Sequence, residues 1–397
     1  MTHTRTPSNG QPDRSLVLIH GAAPTSPLPA IVHVVGARPN FIKMAPVISA
    51  LGERGAFRQV VVHTGQHYDR RMSEEILADL DFPSPDYFLG VGSGSHGEQT
   101  ARVLDKFERV LLEVEPAVVV VAGDVNSTLA CALAASKLGI AIAHVEAGLR
   151  SFDWTMPEEI NRVLTDRLSD TLFTHSPEAL ENLQAEGVVA GNVHYVGNTM
   201  IDSLRRCEKR ARALAAWRAV GVEERDYVLV TLHRPANVDD LQRLGATVEG
   251  LIGLAAHTPV VFPVHPRTRA RLAADGALDR LAAAGVHCTD PVGYLEFLSL
   301  QAGAGAIVTD SGGVQEEAAA LGVSCFTFRP NTERPVTLTH GTNVLLGDDP
   351  AEIAEIRPSE FLPTPCAIPL WDGHAADRVA DVLIANYTLQ RALEASA

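Results

Sequence analysis

Short apolar runs recur along this chain, and the segments between them place apolar residues at helical spacing. Residues 31–35 are the first such run, a buried strand, followed by Gly36-Ala-Arg-Pro-Asn40 and a predicted helix over about 41–54. Residues 58–63 read as a strand, 72–80 as a helix, and 82–97 as a connection rich in proline and glycine. A helix over 98–113 precedes residues 117–121, an Ala-Val-Val-Val-Val run that is the least ambiguous strand in the chain. The alternation continues with a helix at 127–138, strand 140–145, helix 158–168, strand 171–174, helix 177–186 and strand 193–196. Gly197-Asn198-Thr199 reads as a hinge. A second series has strands at 227–231, 260–264, 286–289, 306–309 and 324–328, and an amphipathic helix over about 375–393 ends the pattern.

Strands alternating with helices on this spacing mean parallel sheets with right-handed crossovers. The predicted fold is α/β, with two Rossmann-like domains facing a central cleft. Residues 1–29, rich in Thr, Ser, Pro, Gly and Asn, read as a disordered leader. The first domain takes residues 30–197 plus the terminal helix at 375–393, which packs back across, and the second takes 198–374.

A chain of 397 residues suits two domains, each large enough for its own core. Its formal charge of −15 argues against nucleic acid or an acidic membrane as partner, so an anionic small molecule would need local basic groups or helix ends. Cys131, Cys207, Cys288, Cys325 and Cys366 lie far apart, as expected of reduced thiols in a cytoplasmic protein rather than of a metal site. No apolar run approaches a membrane span, and no signal peptide is visible.

The stretch Thr309-Asp-Ser-Gly-Gly-Val-Gln-Glu-Glu317 joins a strand to an alanine-rich helix through a tight turn. Two glycines would let the backbone approach a ligand and adopt dihedrals closed to other residues, and the helix N-terminus favours an anion. The bland reading is a helix capped by Ser311. A Gly-x-Gly pattern at Gly90, Gly92 and Gly94 follows no convincing strand and is discounted as a nucleotide loop.

Ligands in such sheets bind at the carboxyl ends of the strands. Arg38, Lys43, Asp124, Glu146, Arg150, Glu158 and Arg162 gather there in the first domain. In the second, His233, Arg234, His265, the 310–313 turn and residues 331–334 do so. Each has a structural reading as well. Asp124 could cap the following helix, Glu146 could pair with Arg150, Glu158 could sit in a first helical turn where acids are favoured, and both histidines could be satisfied loop residues.

Together the motifs Gly36–Pro46, His63-Thr-Gly-Gln-His67, His144-Val-Glu-Ala-Gly-Leu-Arg150 and Met156-Pro-Glu-Glu-Ile-Asn-Arg162 resemble those of the non-hydrolysing UDP-N-acetylglucosamine 2-epimerases. So do Gly197-Asn-Thr199, His233-Arg234, residues 309–317 and Thr332-Glu-Arg-Pro335, and the resemblance spans about residues 31–385. The hydrolysing branch lacks the Glu-Ala-Gly-Leu-Arg pattern. The resemblance implies a GT-B-like fold, usually a homodimer, that converts UDP-GlcNAc to UDP-ManNAc with neither cofactor nor metal. It further implies elimination of UDP, giving 2-acetamidoglucal, and readdition on the other face. Asp124, Glu146 and Glu158 match the family's acid/base carboxylates, and His233 a histidine near the phosphates and sugar. Arg38, Lys43 and Arg162 match basic cleft residues. Ser311 and Gly312, with Gly313, match the pyrophosphate turn, and Glu317 the residue that takes the ribose hydroxyls. His265, at another strand end, joins the substrate-binding set.

Bacterial relatives often bind a second UDP-GlcNAc as activator. Gln66-His67 fits that region, but Tyr68-Asp69 and residues 92–97 depart from the pattern. Residues 64–69 and 151–153 are also similar to epimerases of UDP-2,3-diacetamido-glucuronic acid, whereas Asn198-Thr199 and residues 332–335 favour UDP-GlcNAc. From a different class, a GT-B glycosyltransferase would need an apolar acceptor groove in the first domain, where Trp154 is the only tryptophan near the cleft. A non-catalytic binding module would not need so many ionisable groups at strand ends.

Overall fold

The computed structural model describes residues 17–18, 28–66, 70–357 and 368–388. The first lobe runs β1 (Val17–Leu18), β2 (Ala30–Val35), α1 (Arg38–Arg54), β3 (Arg58–His63), α2 (Arg70–Asp79) and β4 (Tyr87–Phe88). It continues with α3 (His96–Val114), β5 (Val118–Ala122), α4 (Asn126–Lys137), β6 (Ala141–Val145), α5 (Pro157–Leu168), β7 (Thr171–Thr174), α6 (Pro177–Ala185) and β8 (Val193–Tyr195). Helices α7 (Thr199–Leu214) and α8 (Trp217–Val220) lead into the second lobe. There follow β9 (Val228–Thr231), α9 (Pro235–Val238), α10 (Leu241–Ala255), β10 (Val260–Pro263), α11 (Pro266–Ala274), α12 (Ala277–Ala283) and β11 (Val286–Thr289). The lobe closes with α13 (Tyr294–Gly303), β12 (Ala306–Thr309), α14 (Gly312–Leu321), β13 (Ser324–Thr327), α15 (Val336–Thr339), β14 (Asn343–Leu345) and α16 (Ala351–Ala354), before α17 (Ala375–Tyr387).

Seven parallel strands form the first sheet in the order β4-β3-β2-β5-β6-β7-β8, with β1 added antiparallel to β4. The second sheet has six parallel strands, β11-β10-β9-β12-β13-β14. This is the expected pair of Rossmann-like sheets. β5 is buried along its whole length, because a parallel strand covered by helices on both faces meets no water.

Several boundaries differ from the expectation for identifiable reasons. α1 starts at Arg38 rather than near 41, because Asn40 Oδ1 accepts from the Ala37 N–H at 2.9 Å and closes the first turn early. That places Arg38 and Lys43 on a rigid element. β4 lies inside the proline- and glycine-rich connection, and β1 inside the leader, each a two-residue strand too short to leave a pattern. The terminal helix is described to Tyr387, and its expected end near 393 lies outside the described residues. Cys131, Cys207, Cys288 and Cys325 are free thiols, and Cys366 lies outside the described residues.

The cores are not wholly separate. The outer faces of the two sheets have their own apolar clusters, one under α3 and α4 and one under α10 and α12. The inner faces share a third, in which Phe41 and Leu51 of α1, Leu204 of α7, Leu298 of α13, Ile307 of β12 and Leu383 of α17 belong to one cluster. α7 packs on α1 from the first lobe and on α13 and α14 from the second, so it joins the lobes rather than spacing them. Among the described residues no helix is long and apolar enough to cross a membrane.

Candidate active site

Glu146 lies at the end of β6, at φ 70°, a left-handed conformation that non-glycine residues rarely hold. The N–H groups of Glu146 and Ala147 both donate to the Phe173 carbonyl, at 3.1 and 3.0 Å, and fix the bend. Such strain persists where surrounding structure determines it, and it clusters at functional sites. Two cations from different lobes meet the buried Glu146 carboxylate. Lys43 of α1 forms an ion pair with it, and Arg334 Nη2 of the second lobe lies 3.0 Å from Oε1. Arg150, the partner considered from sequence, turns away to Asp166 (2.8 Å) and Glu186 (2.7 Å).

Arg334 is the hub between the lobes. Its Nε is 3.0 Å from Glu316, its Nη1 2.6 Å from Glu333 and its Nη2 3.0 Å from Glu146. Burial alone would lower its pKa, but these three carboxylates outweigh burial and raise it. Arg329 also pairs with Glu333 at 2.7 Å, and Arg334, Arg329 and Arg234 hold the Glu333 carboxyl far below its ordinary value despite burial. Glu316 further faces His175 of the first lobe at 3.3 Å. A buried cation surrounded this way is costly to disrupt, since removing one partner strands the others. Glu333 and Arg334 lie within the strand-end set expected at 331–334, but neither they nor Glu316 and Arg329 carry a role in the expected site. The visible signal was the charged run at 329–334 directly after a strand.

Asp124 follows β5 and pairs with Arg162 Nη1 of α5 at 3.1 Å, while Arg162 Nε lies 3.2 Å from Glu159. Asp124 does not cap α4. The N-cap position is Val125, and Gln66 reaches across to accept from the Ser127 N–H at 2.9 Å. Gln66 is thereby part of the scaffold, while the rest of the proposed activator motif, His67-Tyr68-Asp69, lies outside the described residues. Glu158 is exposed in the first turn of α5, four residues before Arg162 and on its face. Its neighbour Glu159 is buried and clamps the loop before the helix, accepting from the N–H groups of Ser151 and Phe152, each at 2.9 Å. Arg162 Nη2 is a buried donor left unsatisfied among the described residues.

In the second lobe Asp310 is fully buried and organises its turn. It accepts from the backbone N–H groups of His233 (3.0 Å) and Arg234 (2.9 Å) and from Asn237 Nδ2 (3.1 Å), and it pairs with His233 Nδ1 at 3.0 Å. These contacts overcome burial and hold the Asp310 carboxyl below its usual value. The His233 ring is thus gripped at one nitrogen and stays partly exposed at the other end, 5.9 Å from the His265 ring. His265 titrates below the ordinary histidine value because of partial desolvation, and next because His233, Arg267 and Arg38 crowd it with positive charge.

The expectation for the 311–313 turn changes in its reason. Neither Gly312 nor Gly313 has a positive φ, so the glycines are not there for special dihedrals. A Cβ on Gly312 would lie 2.2 Å from Arg334 Nη1, and one on Gly313 would lie 3.1 Å from Met200 Cε. Missing side-chain volume is what the turn requires. Ser311 takes the N-cap position of α14, but its side chain makes no capping bond, so the helix N-terminus remains open to an acceptor. Glu317, one turn on, is buried and accepts from Gln301 Nε2 at 2.6 Å. Burial is the main cause that raises its pKa to about 7, against the pull of Gln301 and Arg38. Arg38 reaches from the first lobe towards Glu317 and forms no ion pair among the described residues, and desolvation lowers its pKa.

A sequence model of the UDP-N-acetylglucosamine 2-epimerase family matches residues 49–384. This chain belongs to that family. A UDP-N-acetylglucosamine 2-epimerase from Methanocaldococcus jannaschii is 47% identical over 323 residues, covering 80% of this chain and 88% of that protein. The UDP-2,3-diacetamido-2,3-dideoxy-D-glucuronate 2-epimerase of Pseudomonas aeruginosa is 46% identical over 322 residues, again covering 80% and 88%. Among solved structures, the M. jannaschii UDP-GlcNAc 2-epimerase in complex with UDP-GlcNAc and UDP superposes with a TM-score of 0.82 at 43% identity, covering 90% of this chain and all of that one. A Neisseria meningitidis family member bound to UDP-GlcNAc gives 0.80 at 30% identity, with the same coverage. The expected epimerase family and its GT-B-like architecture are therefore those of this chain.

Proposed function

We propose that this protein interconverts UDP-N-acetylglucosamine and UDP-N-acetylmannosamine by eliminating UDP and adding it back on the other face of the sugar. The observation that carries this reading is the convergence on one interlobe space of the first lobe's carboxylates and the second lobe's open helix N-terminus. The diphosphate would lie at Ser311-Gly312-Gly313, where the Ser311 side chain leaves the N-terminus of α14 uncapped, with Arg38, which forms no ion pair among the described residues, reaching in from the first lobe towards Glu317. Glu317 would accept from the ribose hydroxyls, and His233 and His265 would line the phosphate side. Those donors are preorganised for the charge that develops on UDP as it leaves. Arg162 offers a further unsatisfied donor.

Epimerisation needs proton transfer at two faces of carbon 2. Asp124, Glu146 and Glu158 supply the groups, and they are held differently. Glu146 is gripped by two cations, Asp124 by one, and Glu158 lies exposed at a helix start. Lys43 and Arg334 keep Glu146 in place while the lobes are closed, which keeps water from the glucal. We take the protein to work in the cytoplasm as a homodimer, the state that the resemblance of its motifs implies; light scattering at working concentration checks the dimer.

Incubation with UDP-GlcNAc in deuterated water, followed by proton NMR, tests the mechanism. UDP-ManNAc carrying deuterium at carbon 2 is expected, whereas conversion without deuterium removes the elimination step. Free ManNAc with UDP would make the protein a hydrolase. The near-equal identity to the diacetamido-glucuronate enzyme favours a second substrate reading. A larger kcat/KM for that sugar in the same assay would select it.

A further inference from the structure

His144 lies on β6, two residues before Glu146, and is fully buried. Its Nδ1 is 2.6 Å from Asp166 Oδ1, and its Nε2 is 2.9 Å from the carbonyl oxygen of Gly123, the residue before Asp124. Both partners are acceptors, and a neutral imidazole carries only one N–H. A single proton would leave a lone pair facing an oxygen in a fully buried site, a costly arrangement. Asp166 is not the source of the missing proton. Its second oxygen accepts from the Gly148 N–H at 3.0 Å and pairs with Arg150 at 2.8 Å. Burial would raise the Asp166 carboxyl, but His144 and Arg150 together hold it below its ordinary value.

Charge balance points the same way. Asp166 and Glu186 bring two negative charges to this cluster and Arg150 brings one positive charge, so a cationic His144 makes it neutral. His33 on β2 is a useful contrast. It is equally buried, but among the described residues only Nε2 has a partner, Gln59 at 2.8 Å, while Nδ1 has none, and desolvation pulls it down to about 4.

We infer that His144 is a positioning residue: a doubly protonated imidazolium, anchored by Asp166, that grips the Gly123 carbonyl and so sets the direction of the Asp124 side chain. The peptide between Gly123 and Asp124 is held on each side. Gly123 N–H donates to the Val145 carbonyl at 3.0 Å, and the Asp124 carbonyl accepts from Asn161 Nδ2 at 2.8 Å. Gly123 is at φ 66°, so nothing in its own preferences fixes that peptide, and the histidine supplies the missing constraint. The inference rests on the role proposed for Asp124.

Nitrogen-15 NMR of histidine-labelled wild-type protein at pH 8, with the His144 signal assigned by its loss in variants, reads the ring directly. Protons on both nitrogens are expected, and a neutral tautomer overturns the inference. The paired variants His144→Gln and His144→Asn separate the two contacts. The glutamine amide reaches the Nε2 position and keeps the bond to Gly123, while asparagine reaches only the Nδ1 position and keeps Asp166. Glutamine should retain kcat within about tenfold, and asparagine should lose about 10²-fold in kcat with KM nearly unchanged, as displacement of a reacting group does. Equal losses in the two variants would reduce His144 to core packing and overturn the inference. The wild-type spectrum decides even where a variant fails to fold. Full turnover by Asp124→Asn would instead remove the proposed role of Asp124 and leave the ring's protonation as read.

Discussion

Gly123-Asp124 after β5 and Asp310 to Gly313 after β12 each place an aspartate at the end of a buried interior strand with a helix directly behind it. In both turns a glycine leaves room for a cation. A Cβ on Gly123 would lie 2.8 Å from Lys43 Nζ, and one on Gly312 would lie 2.2 Å from Arg334 Nη1. Both cations then converge on Glu146. The aspartates have opposite fates. Asp124 is partly exposed and holds Arg162, whereas Asp310 is folded inwards to accept from the His233 and Arg234 backbone. The helix ends differ as well, since Gln66 plugs the start of α4 and, among the described residues, no side chain caps α14. One architecture thus yields a turn that presents a carboxylate and a turn that presents bare N–H groups. What separates them is which neighbour satisfies the helix and which way the aspartate points.

The widest gap between the two turns should appear when carboxylates are replaced. Asp124→Asn, Glu146→Gln and Glu158→Gln should each lower turnover by about 10²–10⁴-fold, the usual contribution of a general acid or base. UDP affinity, measured by calorimetry, should change little, and near-normal turnover in all three would erase the distinction. Release of free UDP and glucal by at least one variant would show elimination surviving a damaged return step.

Gly312→Ala probes the other turn. The new methyl has to displace a guanidinium held by three carboxylates, so a stability loss of about 1–3 kcal/mol is expected, the range for overpacked sites. UDP binding should weaken in the same variant. Chemical denaturation together with calorimetry checks both, and an unchanged protein would mean that Arg334 yields freely.

The smallest effect is a pH dependence. Glu317 titrates near 7, and a carboxylate accepts a hydroxyl's hydrogen better than a neutral acid does. UDP affinity should therefore fall as pH drops below about 7, by no more than about tenfold per unit, and Glu317→Gln should flatten that slope. Stability moves the other way. Because the folded carboxyl is raised from its ordinary 4.5, its contribution to stability is complete below that value and is lost as pH rises through about 7. The melting temperature of ligand-free wild type, relative to Glu317→Gln, should accordingly decline between about pH 4.5 and 7 and level off above.

Legibility in the sequence followed how local each cause was. β5 was readable because four consecutive valines in a covered strand need no partner to explain them, and the 309–317 turn because strand, glycines and helix are adjacent. α7 carried no stripe, since Thr199 to Leu204 are all buried between the lobes and the rest is rich in arginine. Arg334 was missed as a hub because its three carboxylates come from three separate stretches, and no spacing rule joins residue 146 to 334. The capping of α4 by Gln66 was likewise a contact between distant segments, which made Asp124 look like the obvious cap. The reason for Gly312 was also hidden, since dihedral freedom is a property of one residue and a guanidinium's volume belongs to another.

Because α7 packs against both lobes, the two halves cannot be treated as interchangeable cassettes. A gene divided at Gly197 would give a first half whose α1 exposes an apolar face and a second half whose α7 has lost its packing on α1. Each should be insoluble when expressed alone and recoverable only when the two are made together. Closure around a ligand is constrained by the same helix. Packed helices move past one another by sliding through small steps, so the lobes should approach by shear along α7 rather than by a free swing at the glycine.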